Sequence, residues 1–331
     1  MFGIDILFQK VLLLTFMVFL GFLLCKLRLA DETLSKGFAN VVIYISQPAM
    51  IIYGFLEASF SKTIILTSLC VLIFSLLFHF GFYGVSISLF RNAPDKKQKV
   101  LRYATVFTNT GFMGIPLISE LINPTAAIYA TFYVVAFNIF NWTLGCYIYT
   151  GNKQYMKPRK MFFNPATIPT YIGLCIFIFG GIVTIPNNVK PIFDSFLTPV
   201  IKDNILFLLK STVVPLSMMM IGIRLAECEL KTIFKDKHLP VLLAVRLVAI
   251  PLCIIGLMKL VVMSGILPDN IIIPAATVLC ISSSTPVAAL ATVFAEKFDG
   301  DATYASKLVS TSTVLSLVTM PLLATILIKI L

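Results

Sequence analysis

The sequence predicts an all-α polytopic membrane protein, ten spanning helices arranged as two inverted five-helix repeats with broken, crossing helices four and nine. Three observations carry this expectation. Of 331 residues, 58% are hydrophobic and 12% charged, and the mean hydropathy is +0.96, too apolar for a soluble domain of ordinary composition. Ten stretches approach the roughly 20 apolar residues that a spanning helix needs. Segments of the two halves also echo one another in the same order, as repeats in membrane carriers do.

The ten segments run near 5–25, 38–58, 63–90, 102–121, 125–149, 165–185, 204–226, 239–263, 271–295 and 304–329. The first carries Asp5 and Lys10 before its apolar run and ends in "LLCKLR" with no A-x-A site, so it is kept as a helix and not read as a cleavable signal. Residues 1–150 form the first repeat, 151–164 a short cytoplasmic linker and 165–331 the second repeat. Basic residues gather after segments one, three, five, seven and nine. These groups are Lys26, Arg28 and Lys36; Arg91, Lys96, Lys97, Lys99 and Arg102; Lys153, Lys157, Arg159 and Lys160; Arg224, Lys231, Lys235 and Lys237; and Lys297 with Lys307. They hold 18 of the 26 Lys and Arg. The positive-inside rule therefore puts these connections in the cytoplasm and both termini outside, in a cell (plasma or inner) membrane. The net charge of +11 is a topology signal and no nucleic-acid partner is expected. The stretch "RNAPDKKQKVLR" at 91–102 is expected to be a solvated loop, with anionic lipid as the alternative contact. Seven scattered cysteines with no C-x-x-C pair indicate neither a disulfide framework nor a zinc site.

Three echoes link the halves. "SQPAMIIYGFLE" at 46–57 resembles "VPLSMMMIGIRLAE" at 214–227, "ATVFTNTGFMG" at 104–114 aligns with "ATVLCISSSTP" at 276–286, and "AIYATF" at 127–132 with "ATYASK" at 302–307. Five helices per half is an odd number, so the second half enters the membrane from the opposite side.

Two of the segments carry helix breakers at membrane depth, where unpaired backbone is tolerated only if protein or water covers it. In segment four, Gly111 and Gly114 loosen the ladder and Pro116 suits the first turn of a second half-helix. In segment nine, Ser284 or Thr285 is expected to cap a half-helix beginning at Pro286. The two half-helix N-termini then face each other near the midplane, each with free N–H donors and partial positive charge. Around them Asn109, Thr108, Thr110, Ser282, Ser283, Ser284 and Thr285 are neutral hydrogen-bonding groups. That inventory suits a carboxylate, whereas a metal cation would want acidic ligands. The alternative is that Gly and Ser merely let helices pack closely.

Arg246 lies about seven residues into segment eight. It either neutralises a bound carboxylate or snorkels to the interface. His79 is read as a packing histidine, with titration during transport the alternative. Gln47 with Pro48, and Ser217 beside Pro215, are expected to line the same cavity. Glu57, Glu120, Glu227, Glu229 and Glu296 fall at helix ends, so the paired intramembrane acids of a cation/proton exchanger are missing. There is no P-loop, G-x-G-x-x-G, H-E-x-x-H or Ser–His–Asp set, and no cofactor or enzymatic activity is expected.

"NTGFMGIPL" at 109–117, "SSSTPVAALATVFAEKFDGDATYAS" at 282–306 and "VRLVAIP" at 245–251 resemble the auxin efflux carrier family over essentially the whole chain. The resemblance implies a scaffold domain, a transport domain with two broken helices crossing at the substrate site, and a homodimer. It carries Asn109, Gly111, Gly114, Pro116 and Pro286 over as site positions. The sequence departs from plant members in its short 150–164 connection, in the serines around Pro286, and in "EKFDGD", where Asp299 stands in place of an asparagine. A secondary carrier of small organic anions such as malonate or malate, working by alternating access, is therefore expected in preference to an auxin carrier. H⁺ or Na⁺ is the possible coupling ion. A sodium-coupled symporter of bile-acid type and a sensor without flux are the alternatives.

Overall fold

A computed structural model describes residues 4–57, 61–122, 124–152, 154, 168–182, 193–227 and 236–330. Everything regular among them is helical; the one extended pairing is an isolated antiparallel bridge between Thr108 and Val287. The helices are α1 (Ile4–Lys26), α2 (Glu32–Val41), α3 (Gln47–Glu57), α4 (Lys62–Leu89), α5 (Asp95–Val106), α6 (Ile115–Leu121), α7 (Pro124–Phe140) and α8 (Cys146–Thr150). They continue as α9 (Ile168–Ile182), α10 (Phe207–Ser211), α11 (Val213–Glu227), α12 (His238–Ala244), α13 (Ile250–Met263), α14 (Asp269–Ser284), α15 (Leu290–Lys297) and α16 (Ala302–Ile330). Several neighbours are joined by π-helical turns into longer rods. Six described rods are long and apolar enough to cross a membrane: Thr33–Leu56, Lys62–Leu89, Thr125–Thr150, Val200–Ile223, His238–Met263 and Ala302–Leu327.

The polarity of α4 explains its environment. Leu66, Leu69, Ile73, Leu77 and Phe80 form an exposed apolar stripe at helical spacing, while Thr67, Ser68, Ser75, His79 and Ser86 are buried on the other side. A helix with polar groups inward and leucines outward is stable only if its outer solvent is apolar. Of the hydroxyls turned inward, Ser86 Oγ donates to Tyr83 O at 2.7 Å, while those of Ser68 and Ser75 have no partner among the described residues.

The helices pack as two groups. In one, α1 lies along α11, α2 also meets α11, and α3 packs on α9 and α10. In the other, α4 packs on α5, α7 and α14, α13 on α14, and α16 on α14 and α15. Contacts between the groups run from α3 to α7 and from α11 to α16 and α6. The close approach of α1 to α11 depends on glycine: a Cβ at Gly21 would overlap the Met219 backbone, and one at Gly222 the backbones of Val18 and Phe22. Small residues let membrane helices approach this closely.

The stretch 91–102 is not a loop throughout. Pro94 ends the connection and α5 begins at Asp95, with Asp95 in the first turn, where its charge suits the helix dipole, and an i,i+4 bond from Lys99 at 3.2 Å. The basic run is tied to the second half by Lys97–Asp236 at 2.7 Å and Lys96–Asp299 at 2.6 Å. Gln98 Nε2 also donates to the carbonyls of Phe90, Arg91 and Ala93, which pins the turn before α5. Burial alone would raise the carboxyl of Asp236; the bonds from Lys97 and from the His238 amide outweigh it and hold Asp236 below its ordinary 3.8. Asp299 adopts the left-handed conformation (φ 53°), which Asp and Asn tolerate best among side-chain-bearing residues. The 151–164 linker lies mostly outside the described residues.

Candidate functional site

The two segments with helix breakers meet. After α5 the chain leaves the helix over 107–109, extended at Phe107 and bridged at Thr108, and after α14 it is extended from Thr285, whose φ and ψ are −67° and 152°. These stretches run antiparallel and exchange backbone bonds: Asn109 N–H donates to Pro286 O at 2.8 Å, and Ala288 N–H donates to Phe107 O at 3.0 Å. Val287 N–H donates to Ser312 Oγ of α16 at 3.2 Å. Each interrupted helix thus supplies partners for the other's freed backbone, as a break buried away from water requires.

The position of each break differs from the sequence expectation. Helix resumes at Thr110, ahead of Pro116, and the Thr110–Gly114 turn is π-helical, with Ile115 N–H donating to Thr110 O. Pro116 therefore lies inside a half-helix already begun. Proline has no N–H for the carbonyl four residues back and its ring crowds that group, so widening the turn by one residue relieves the conflict. The same device recurs before Pro48, where Gln47 N–H reaches Val42 O, and before Pro251, where Ile250 N–H reaches Val245 O. In the other break, Pro286 does not start a helix; α15 begins at Leu290. Ser283 Oγ and Ser284 Oγ donate back to Cys280 O, and Thr285 Oγ1 to Ser282 O, so these hydroxyls close the C-terminus of α14 and cap nothing beyond it. The echo between 104–114 and 276–286 sets the non-helical residues 107–109 against helical ones, and is not a residue-by-residue equivalence.

Threonines tie the crossing together. Thr110 Oγ1 donates to Ser282 O at 3.1 Å and lies 2.7 Å from Thr108 Oγ1 and 3.3 Å from Thr285 Oγ1. Gly114 is needed for close approach, since a Cβ there would sit 2.8 Å from Thr110 Cγ2 and 3.2 Å from Thr285 Cγ2. Gln47 Nε2 donates to Gly111 O at 3.2 Å, bringing α3 to the crossing. Ser217 of α11 is fully buried, its hydroxyl without a partner.

Arg246 does not snorkel. It sits in the π turn before Pro251, is 0% exposed, and its Nη2 donates to Thr285 O at 3.2 Å. Its Nε and Nη1 have no partner. The carbonyls at the α14 end are thus occupied by hydroxyls and by the guanidinium, while the half-helix starts at Thr110 and Leu290 have no side-chain cap. The result is a buried crossing that carries neutral hydroxyls and one guanidinium. Among the described residues, no three His, Cys, Asp or Glu side chains gather as a metal centre would need.

Tyr133 is at the crossing too, and no sequence signal marked it: Thr108 Oγ1 lies 3.4 Å from its hydroxyl. It stands on α7 in a run that is apolar on every side, so spacing alone cannot single it out. His79, read as packing, reaches the same place, its ring centroid 5.3 Å from Tyr133 and 6.1 Å from Phe107.

The two interrupted helices thus meet beside the buried guanidinium of Arg246. The family model described as membrane transport protein matches residues 6–324. The chain belongs to this membrane transport family of auxin efflux carrier type. Within it, the chain is similar to an uncharacterized transporter of Methanothermobacter thermautotrophicus, 26% identical over 326 residues, which is 96% of this chain and 98% of the relative. The match extends over both halves, so both breaks and Arg246 lie inside the family region. As a member of this family the chain is a multi-pass membrane transporter with a small-molecule substrate.

Proposed function

We propose that this transporter is a secondary carrier of small organic anions, mono- or dicarboxylates such as malonate or malate, bound where the two broken helices cross. One observation carries the reading: Arg246 is fully buried, with two of its three nitrogens unpartnered and no acid at the crossing. An isolated buried charge is costly, and leaving one partner of a buried pair alone costs about 3–5 kcal/mol. A protein that keeps such a charge at membrane depth is built to receive its counter-ion. The neutral hydroxyls of Thr108, Thr110, Ser282 and Thr285, with Asn109 and Gln47, supply orientation without repelling an anion.

In this reading ten spanning segments form two inverted repeats, with the basic connections in the cytoplasm of a cell membrane and both termini outside. The α1–α3 and α9–α11 group is the scaffold, through which a homodimer would form. The group holding the crossing rocks against it in alternating access. Uptake of labelled malonate, malate and indole acetate into proteoliposomes tests the proposal. Saturable uptake of a small dicarboxylate above indole acetate is expected. Ligand binding without movement of label into sealed vesicles would favour a sensor instead, and strict dependence on sodium would favour a symporter of bile-acid type.

A further inference from the structure

His79 is the buried titratable group that the anion site does not use. Its Nδ1 lies 2.7 Å from Ser75 O, a carbonyl that only accepts, so Nδ1 carries a hydrogen and the free lone pair belongs to Nε2. That Nε2 is buried and unpartnered. The ring is held by Phe107, Tyr133, Phe137 and Phe140, the last stacked at 5.6 Å and 4°. A packing role accounts for the rings and for Nδ1. It leaves Nε2, an acceptor in a dry pocket, without a reason.

The charges around it limit what Nε2 does. Arg246 acts electrostatically on both His79 and Tyr133. Tyr133 faces His79 from α7. On α14, which also packs on α4, the titratable side chains are Asp269, exposed in the first turn, and Cys280, which lines an apolar cavity with Leu117, Ile255 and Met320. From α5, Arg102 acts a turn further along, at Tyr83. Tyr103 of α5 donates instead to Asn141 Oδ1. On α4 itself the neighbours at helical spacing are Ser75, Phe82, Tyr83 and Ser86. No carboxylate faces His79 from any of these elements.

Counting charge at the crossing then gives a rule. Arg246 alone balances a monoanion. A dianion would leave one negative charge uncompensated among buried residues, where it is expensive. A proton on Nε2 restores neutrality, but without the dianion the same proton would set two positive charges side by side. We propose that His79 takes up one proton when a doubly charged dicarboxylate binds, so that anion and proton occupy the crossing as a pair. The step forms one N–H bond at Nε2 with a proton drawn from bulk water, while Nδ1–H stays on Ser75 O. The inference rests on the anion site proposed above.

The test is titration calorimetry of malonate into the purified full chain at about pH 7.5, a unit above the ordinary histidine value, in two buffers of different ionisation heat. The buffer dependence counts protons taken up. About one proton per malonate is expected for the wild type and close to none for acetate, a monoanion. His79→Asn keeps a donor for Ser75 O and removes Nε2; it should bind malonate with the proton count near zero, whereas Arg246→Gln should lose malonate binding. Malonate bound by the wild type without proton uptake, acetate taking up the same proton, or an undiminished count in His79→Asn overturns the coupling and leaves the anion site standing. If His79→Asn does not fold, the malonate–acetate contrast in the wild type decides. Failure of malonate to bind the wild type overturns the anion site, and the coupling with it.

Discussion

At Gly114 and Gly111 the structure separates two glycines that the sequence treats alike. A methyl group at 114 would press on Thr110 and Thr285 and force the crossing open, whereas at 111 it would meet Gln47 Nε2 at an ordinary 3.4 Å. Gly114→Ala is therefore expected to cost about 1–3 kcal/mol as an overpacked site and to cut uptake, and Gly111→Ala to stay close to wild type. Thermal melts and uptake of labelled malonate by the two variants check the contrast; equal effects would mean that the crossing is looser than described. Asp236 carries a pH dependence of its own. Its carboxyl is held below 3.8, so the stabilisation it gives is present above that value and is lost as pH falls through the lower, folded-state value. The melting difference between wild type and Asp236→Asn should be constant from neutral pH down to about 5, well above the carboxylate range, and should close below 3.8. Arg246 and Gln47 were legible in the sequence because a charge or amide among apolar residues stands out. Tyr133 was not, because an aromatic ring in an apolar helix looks the same whether it packs or binds; His79 stood out as titratable, but its place beside Tyr133 did not.

Among the elements, the prolines were legible and their consequence was not. Pro48, Pro116 and Pro251 each follow a π-helical turn, and those turns carry Ser46, Thr110 and Arg246. A period of 3.6 cannot reveal a turn widened by one residue, since the apolar pattern on both sides survives it. For the same reason the sequence set the breaks at Gly111–Pro116 and Pro286, while the chain leaves the helix at 107–109 and from Thr285. Hydrogen bonding between the two breaks fixes those positions, and that pairing is invisible to either segment alone. The α1–α11 contact gives an element-scale expectation. Gly222→Ala would drive a methyl group into the Val18 and Phe22 backbones, which cannot yield as a side chain can. A lower melting temperature is expected, equivalent to at least about 1–3 kcal/mol. A wild-type melt for Gly222→Ala would show that these helices do not touch through backbone.

For the whole molecule, the all-helical class and membrane setting follow from composition, and the polar-in, leucine-out face of α4 shows how that composition is sorted. The two packing groups were not legible, because they join helices distant in sequence. Their relative movement is testable at Gly54 of α3, where a Cβ would lie 3.5 Å from Ile128 Cγ1 of α7 in the other group. That contact puts the two positions next to each other, as a disulfide between them requires. In a background lacking the seven native cysteines, Gly54→Cys with Ile128→Cys should lose uptake on oxidation, keep malonate binding, and recover on reduction. Undiminished uptake by the oxidised protein would exclude movement across this contact. The central claim is that the Arg246 charge at the crossing holds the transported anion. Counterflow of labelled malonate in sealed proteoliposomes tests it most directly, comparing wild type, Arg246→Lys and Arg246→Gln at equal, folded protein. Saturable exchange by the wild type, partial exchange by Arg246→Lys and a loss of at least about tenfold in Arg246→Gln are expected, since losing a charge-assisted bond costs about 1.5–3 kcal/mol. Full exchange by Arg246→Gln would contradict the account.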